Sequence, residues 1–127
     1  MKDPTLLKNL SEILIEKKDC ESIALVQEGR EVTYKELYEA SRRLSGYLPC
    51  NCQVAVRMCN SIEYVIALFA IFLAHSTAVL ISPDLTEEEV RAIAAICDVA
   101  FVLDEQSQRQ IYETKVFHEP QPQRGNP

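Results

Sequence analysis

The chain has 127 residues, 47% of them hydrophobic and 25% charged, with a formal net charge of −6 and no tryptophan. That length is one ordinary domain, able to bury most of the surface of its unfolded form without disulfides or metals as staples. The acidic balance, with basic residues scattered apart from the pairs Lys17-Lys18 and Arg42-Arg43, excludes the basic stripe that nucleic-acid binding requires.

The start, MKDPTLLKNLSEIL, lacks the uninterrupted apolar core and cleavage site of a secretory signal. From Thr5 to Lys17, apolar Leu6, Leu7, Leu10, Ile13 and Leu14 recur on one face of an amphipathic helix. Ile23–Val26 and Glu31–Tyr34 follow, joined by a short loop holding Gly29, and read as a hairpin. Thr33-Tyr34-Lys35-Glu36 is a capping box. It opens a helix with Leu37, Ala40, Ser41, Leu44, Tyr47 and Leu48 on one side, stopped by Pro49.

Val54–Met58 is a short apolar strand, and Asn60-Ser61-Ile62-Glu63 repeats the capping pattern with Asn60 as the cap. From Tyr64 to Pro83 no residue carries a formal charge. Such a stretch is long enough to span a bilayer. It also suits a buried helix, a turn at His75-Ser76-Thr77 and a buried strand over 78–82. The cap before it and a third box after it, Thr86-Glu87-Glu88-Glu89, favour the second reading. The helix begun at Thr86 has Val90, Ile93, Ala94 and Cys97 on its inner face. Ala100–Leu103 is a strand closed by Asp104. Glu105–Gln110 reads as a loop or frayed helix, Lys115–Phe117 as one more short strand, and the proline-bearing end as an extended tail.

Strand, helix, strand, helix, strand from Val54 onward defines an α/β fold, a mainly parallel sheet with helices on its faces, preceded by a helix and a β-hairpin. The expected domain is residues 1–118, with a flexible tail at 119–127.

Chemistry is sparse. The strand ends offer Asn60 and Ser61 as amides for an anion, but capping accounts for them. Asp84 and Asp104 could pair for a metal or for acid–base work, but solvated turns are the simpler reading. His75 reads as a satisfied helix-end histidine, and His118 lies near the tail. The glycines Gly29, Gly46 and Gly125 form no phosphate cradle. Cys20, Cys50, Cys52, Cys59 and Cys97 are an odd, dispersed set and read as free thiols in a reducing cytoplasm. Cys50-Asn51-Cys52 has a shorter spacer than zinc sites use. No catalytic, cofactor-binding or metal-ligating residue is assigned.

The order of segments carries more. Ile23–Val26, Val32–Leu37, Ala40–Leu48, Val54–Val56, Asn60–Val65, Ala67–Ile71, Ala78–Leu80, Ser82–Asp84, Leu85–Val90 and Phe101–Leu103 together resemble the start of the adenylate-forming superfamily. That superfamily comprises acyl-CoA synthetases, luciferases and nonribosomal peptide synthetase adenylation domains. Thr33–Leu37 is similar to its first core motif, and Leu73–Asp84 to a degraded second one. Two departures stand out. Pro49–Gln53 replaces a longer loop with a Gly-Asp pair, and His75 stands at a family glycine position.

The resemblance implies an N-terminal structural portion of an AMP-forming acyl or aminoacyl ligase. The phosphate loop, nucleotide-binding segments and catalytic lysine of that family have no counterpart in the sequence, so the chain is expected to be inactive alone. ATP and magnesium are expected only for a complete enzyme. The implied partners are the remainder of the ligase or another protein chain, or a second copy through self-association, with no nucleic acid and no membrane. The alternative is a stand-alone, non-catalytic binding protein derived from that family.

Overall fold

The structure, a computed structural model, describes residues 10–115, with side chains through residue 111. Its elements run α1 (Leu10–Glu16), β1 (Ile23–Gln27), β2 (Arg30–Thr33), α2 (Tyr34–Ser45), β3 (Gln53–Arg57), α3 (Ile62–Leu73), β4 (Thr77–Leu80), α4 (Glu87–Ile96), β5 (Val99–Asp104) and α5 (Glu105–Lys115). β1 and β2 form an antiparallel pair, and β4-β3-β5 a parallel sheet of three strands in that order. The expected α/β architecture is what forms.

The strand order fixes where the helices lie. The chain steps from β3 to β4 on one side, then returns across β3 to β5. Right-handed crossovers taken in opposite directions put their helices on opposite faces. The apolar side chains divide accordingly. Val54, Val56 and Leu103 are buried with Leu37, Leu44, Ile66, Ala67, Ala70 and Ile71 of α2 and α3. Ala55 and Ile81 are buried instead with Val90 of α4, with Val79, Ile93 and Val102 packed around them. Alternation along β3 serves both faces, which is why Val54, Ala55 and Val56 are all fully buried.

The uncharged stretch resolves into helix, turn and strand. α3 ends at Leu73, and His75 takes φ +61. The Ser76 N–H then donates to Ile71 O at 3.0 Å and the His75 N–H to Phe72 O at 3.0 Å. Those two bonds are the Schellman closure of a helix C-terminus. β4 follows, parallel to β3 with Val54 opposite Ala78 and Val56 opposite Leu80. No helix among the described residues is long and apolar enough to cross a membrane.

Local chemistry behaves largely as read. The hairpin closes on the two residues Glu28 and Gly29, both at positive φ, as the tightest hairpin turns demand. Capping boxes form at Thr33 with Glu36 and at Thr86 with Glu89, every bond between 2.9 and 3.1 Å.

Other expectations are corrected. α3 is capped by Ser61, whose Oγ accepts the Tyr64 N–H at 3.1 Å, and not by Asn60. Glu63 therefore closes no box and pairs with Arg30 at 3.0 Å. Of the loop or frayed helix expected over Glu105–Gln110, it is the helix that forms, as the first part of α5, and Lys115 belongs to that helix rather than to a strand. Residues 116–127 lie outside the described part, as do Leu6 and Leu7. In α1 only Leu14 and Ser11 are buried, while Leu10, Ile13 and Ile15 are exposed.

Candidate functional site

In an open parallel sheet ligands bind beyond the carboxyl ends of the strands, where neighbouring connections diverge to opposite faces. Here β3 leads to α3 on one face and β4 to α4 on the other, so the divergence lies between residues 58–61 and 82–86. Arg57, the last residue of β3, bridges it. Its Nη1 donates to Glu87 Oε2 at 2.8 Å and its Nη2 donates to the carbonyl of Leu85. The Arg57 side chain is only 19% exposed, against 74% for Glu87. The crevice is thus closed by the protein's own charge-assisted bonds.

On the other face the first turns of α3 and α5 flank a cleft of about 270 Å³, lined by Glu63, Glu105, Gln108 and Arg109. Three of its lining residues, Glu63, Glu105 and Gln108, bond within the protein. Glu105 Oε2 accepts the Cys59 N–H at 3.1 Å, and the buried Gln108 donates through Nε2 to Glu63 O at 3.3 Å. Burial works most strongly on the Glu63 carboxyl and pushes its pKa upward. The Arg30 hydrogen bond, a backbone hydrogen bond and the Arg30 charge together outweigh it, so Glu63 sits below the usual glutamate value. The hairpin reaches the same place twice, through Arg30 and through Gln27, whose Oε1 accepts the Ile62 N–H at 3.1 Å.

The sequence candidates distribute as follows. Asn60 is exposed and caps nothing. The start of α3 has given its Ile62 and Tyr64 amides to Gln27 and Ser61, which leaves little for an anion. Asp84 and Asp104 are not brought together, because their strands are opposite edges of the sheet with β3 between them, about 10 Å apart at two strand spacings. Asp104 instead caps α5. Its Oδ1 accepts the Ser107 N–H at 2.8 Å while its own N–H donates to Ser107 Oγ at 2.9 Å. Asp84 sits in a turn in which its N–H donates to Ser82 Oγ at 3.1 Å. His75, Cys50 and Cys52 gather at the amino end of the sheet, the end opposite the ligand-binding one. His118 lies outside the described residues.

All five cysteines are free thiols. The Cys20 thiol is held below its usual pKa, chiefly by hydrogen bonds from the Ser22 side chain and backbone, with Lys17 nearby. Among the described residues, no three His, Cys, Asp or Glu side chains are arranged to hold a metal ion.

Sequence reading passed over Arg57, Gln27, Glu105 and Gln108. The one available signal was Arg57 at a strand's end with a run of three glutamates opening α4.

A family profile described as AMP-binding enzyme matches residues 15–125, and the chain belongs to that family. The 2-succinylbenzoate–CoA ligase of Bacillus velezensis is 35% identical over 75 residues, covering 54% of this chain and 15% of that enzyme. Among solved structures, the O-succinylbenzoate coenzyme A synthetase MenE of Bacillus subtilis, in complex with AMP, aligns with a TM-score of 0.68 at 28% identity. That alignment covers 80% of this chain and 29% of that one. The N-terminal subdomain of Klebsiella oxytoca NpsA, in complex with anthranilyl-AMSN, aligns with a TM-score of 0.75 at 18% identity, over 82% of this chain and 31% of that one. That last likeness is one of fold. The chain spans from 15% to 31% of the length of these relatives, so the fold is that of a portion of an adenylate-forming enzyme's N-terminal region.

Proposed function

We propose that this chain is an N-terminal structural portion of an AMP-forming acyl or aminoacyl ligase and performs no chemistry by itself. One observation carries the reading: at the strand ends, where a ligand would bind, most of the polar side chains bond within the fold. Arg57 bridges Leu85 and Glu87, Asp104 caps α5, Glu105 holds the Cys59 amide, and Ser61 and Gln27 take amides of α3. In this reading ATP and magnesium belong to other segments of the complete enzyme, which activates a carboxylate as its acyl-adenylate. The partner is the rest of that ligase, on the same chain or another.

The test is ATP–pyrophosphate exchange by the purified chain with Mg-ATP and a panel of carboxylic acids, alongside calorimetric titration with Mg-ATP. No exchange above a heat-denatured sample and no binding heat are expected. Exchange activity that follows the chain through successive columns would overturn the proposal.

A further inference from the structure

Cys50 and Cys52 lie at the amino end of the sheet and take no part in the site above. Both thiols are free, Cys50 exposed and Cys52 half-buried. Between them Asn51 has φ +56, in the left-handed region. A left-handed residue mirrors one helical step and sets its flanking Cα atoms about 5.4 Å apart, whereas an extended residue sets them about 6.7 Å apart. Disulfides are commonest at Cα separations of about 5.5–6 Å.

The turn is also fixed from outside. The Asn51 N–H donates to His75 O at 3.2 Å, and the Thr77 N–H to Cys52 O at 2.9 Å. Ser76 Oγ donates to Pro49 O at 2.8 Å and accepts the Cys52 N–H at 3.3 Å. These bonds bracket both cysteines. The Cys52 sulfur makes one long polar contact, 3.9 Å to Ser76 Oγ, and its half-buried side chain packs against the edge of the main core.

We propose that Cys50 and Cys52 are a reversible disulfide site, oxidised by a glutathione-type disulfide. The exposed Cys50 attacks that disulfide as its thiolate, forming a mixed disulfide and releasing one glutathione thiolate. The Cys52 thiolate then attacks the Cys50 sulfur and releases the second. The protein loses two S–H bonds and gains one S–S bond; the oxidant loses its S–S bond and leaves as two thiols. None of the backbone hydrogen bonds around the turn has to break, so the folded chain closes the ring more readily than the unfolded one.

The test equilibrates the protein in graded mixtures of oxidised and reduced glutathione, blocks remaining thiols with iodoacetamide, and digests with trypsin. The peptide Leu44–Arg57 contains these two cysteines and no other. The expected product is that peptide unalkylated and lighter by two hydrogens, increasing with the oxidised fraction. Asn51→Gly retains it, and Asn51→Val, disfavoured in the left-handed region, requires about tenfold more oxidised glutathione. Wild-type chain unfolded in urea also requires more, a comparison that stands even where the valine variant does not fold. Recovery of only doubly alkylated peptide or glutathione adducts would overturn the proposal, as would equal oxidation with and without urea.

Discussion

Replacing His75 with glycine is expected to stabilise the fold. His75 is the residue just past the end of α3, with φ +61, and both Schellman bonds depend on that conformation. For a residue with a Cβ the left-handed region costs about 1–2 kcal/mol, and histidine, one of the more tolerant types, stands at the low end. Glycine removes that cost but adds about 0.4–1 kcal/mol of unfolded-state entropy. The imidazole is exposed and makes no hydrogen bond among the described residues, so little else is lost. The balance is a gain of about 0.5 kcal/mol. At a urea dependence of about 1.5 kcal/mol per molar for a domain of this size, the unfolding midpoint rises by about 0.3 M. His75→Val tests the same reasoning in the opposite direction, since a β-branched side chain is strongly disfavoured there, and the midpoint falls by about 1 M. Urea unfolding followed by far-ultraviolet circular dichroism reads all three proteins. A glycine variant less stable than the wild type, or a valine variant equal to it, would refute the argument that backbone strain at this turn governs the change.

The remaining expectations use the same assay unless stated. Ser61→Ala costs about 1 kcal/mol as a lost helix cap, whereas Asn60→Ala stays within about 0.5 kcal/mol; a reversed order would restore Asn60 as the cap. Arg57→Ala costs about 2 kcal/mol because a mostly buried guanidinium gives up two bonds, while Glu87→Ala, at an exposed position, costs less than about 1 kcal/mol. Glu63 titrates below its usual value, so its pairing with Arg30 contributes stability above the unfolded glutamate pKa of about 4.3. That contribution is lost as pH falls through the lower, folded value. Solvent screening at the half-exposed pair keeps it below about 1 kcal/mol. Glu63→Gln therefore flattens the stability profile between about pH 3 and 5, and an unchanged profile would count against the pair. Cys20 is expected to react with iodoacetamide at lower pH than an unfolded-chain cysteine, since hydrogen bonds from Ser22 favour its thiolate; Ser22→Ala raises the pH midpoint of labelling, read by mass spectrometry.

How legible each feature was in the sequence depended on the range of the interaction that decides it. Thr33 and Thr86 were readable as caps because both halves of a capping box lie within three residues. The cap of α3 was misplaced by one residue because Asn60 and Ser61 are both competent. The choice falls to a distant partner, Gln27, whose side chain engages the Ile62 amide. α5 carries few apolar residues, and its reciprocal Asp104–Ser107 cap lacks the usual glutamate, so the stretch reads equally as a loop or a frayed helix. Leu10 and Ile13 followed a helical period yet are exposed, because periodicity identifies a face but not what covers it. The strand ends were located correctly by the alternation of strands and helices. That Arg57 reaches Leu85 and Glu87 could not be read, because it depends on two crossovers turning to opposite faces.

The two ends of the sheet solve different problems. At the amino end each strand is entered through a tight return, and Asn51, His75 and Asp98, one or two residues before β3, β4 and β5, all take positive φ without being glycine. Those turns tolerate strain because hydrogen bonds across neighbouring loops hold them, as between Asn51 and His75. At the carboxyl end the chain leaves each strand for a helix, and the problem is to satisfy the first amides of α3, α4 and α5. Side chains do so: Ser61, Gln27, Thr86 and Asp104. A ligand at that end would have to displace bonds already made. To enter the crevice it would break both contacts of Arg57 and leave a largely buried guanidinium unpaired, at a cost of several kcal/mol. A strand end built in this way favours holding the sheet together over holding a substrate, which is the physical ground for the proposal that this portion of the fold is scaffold.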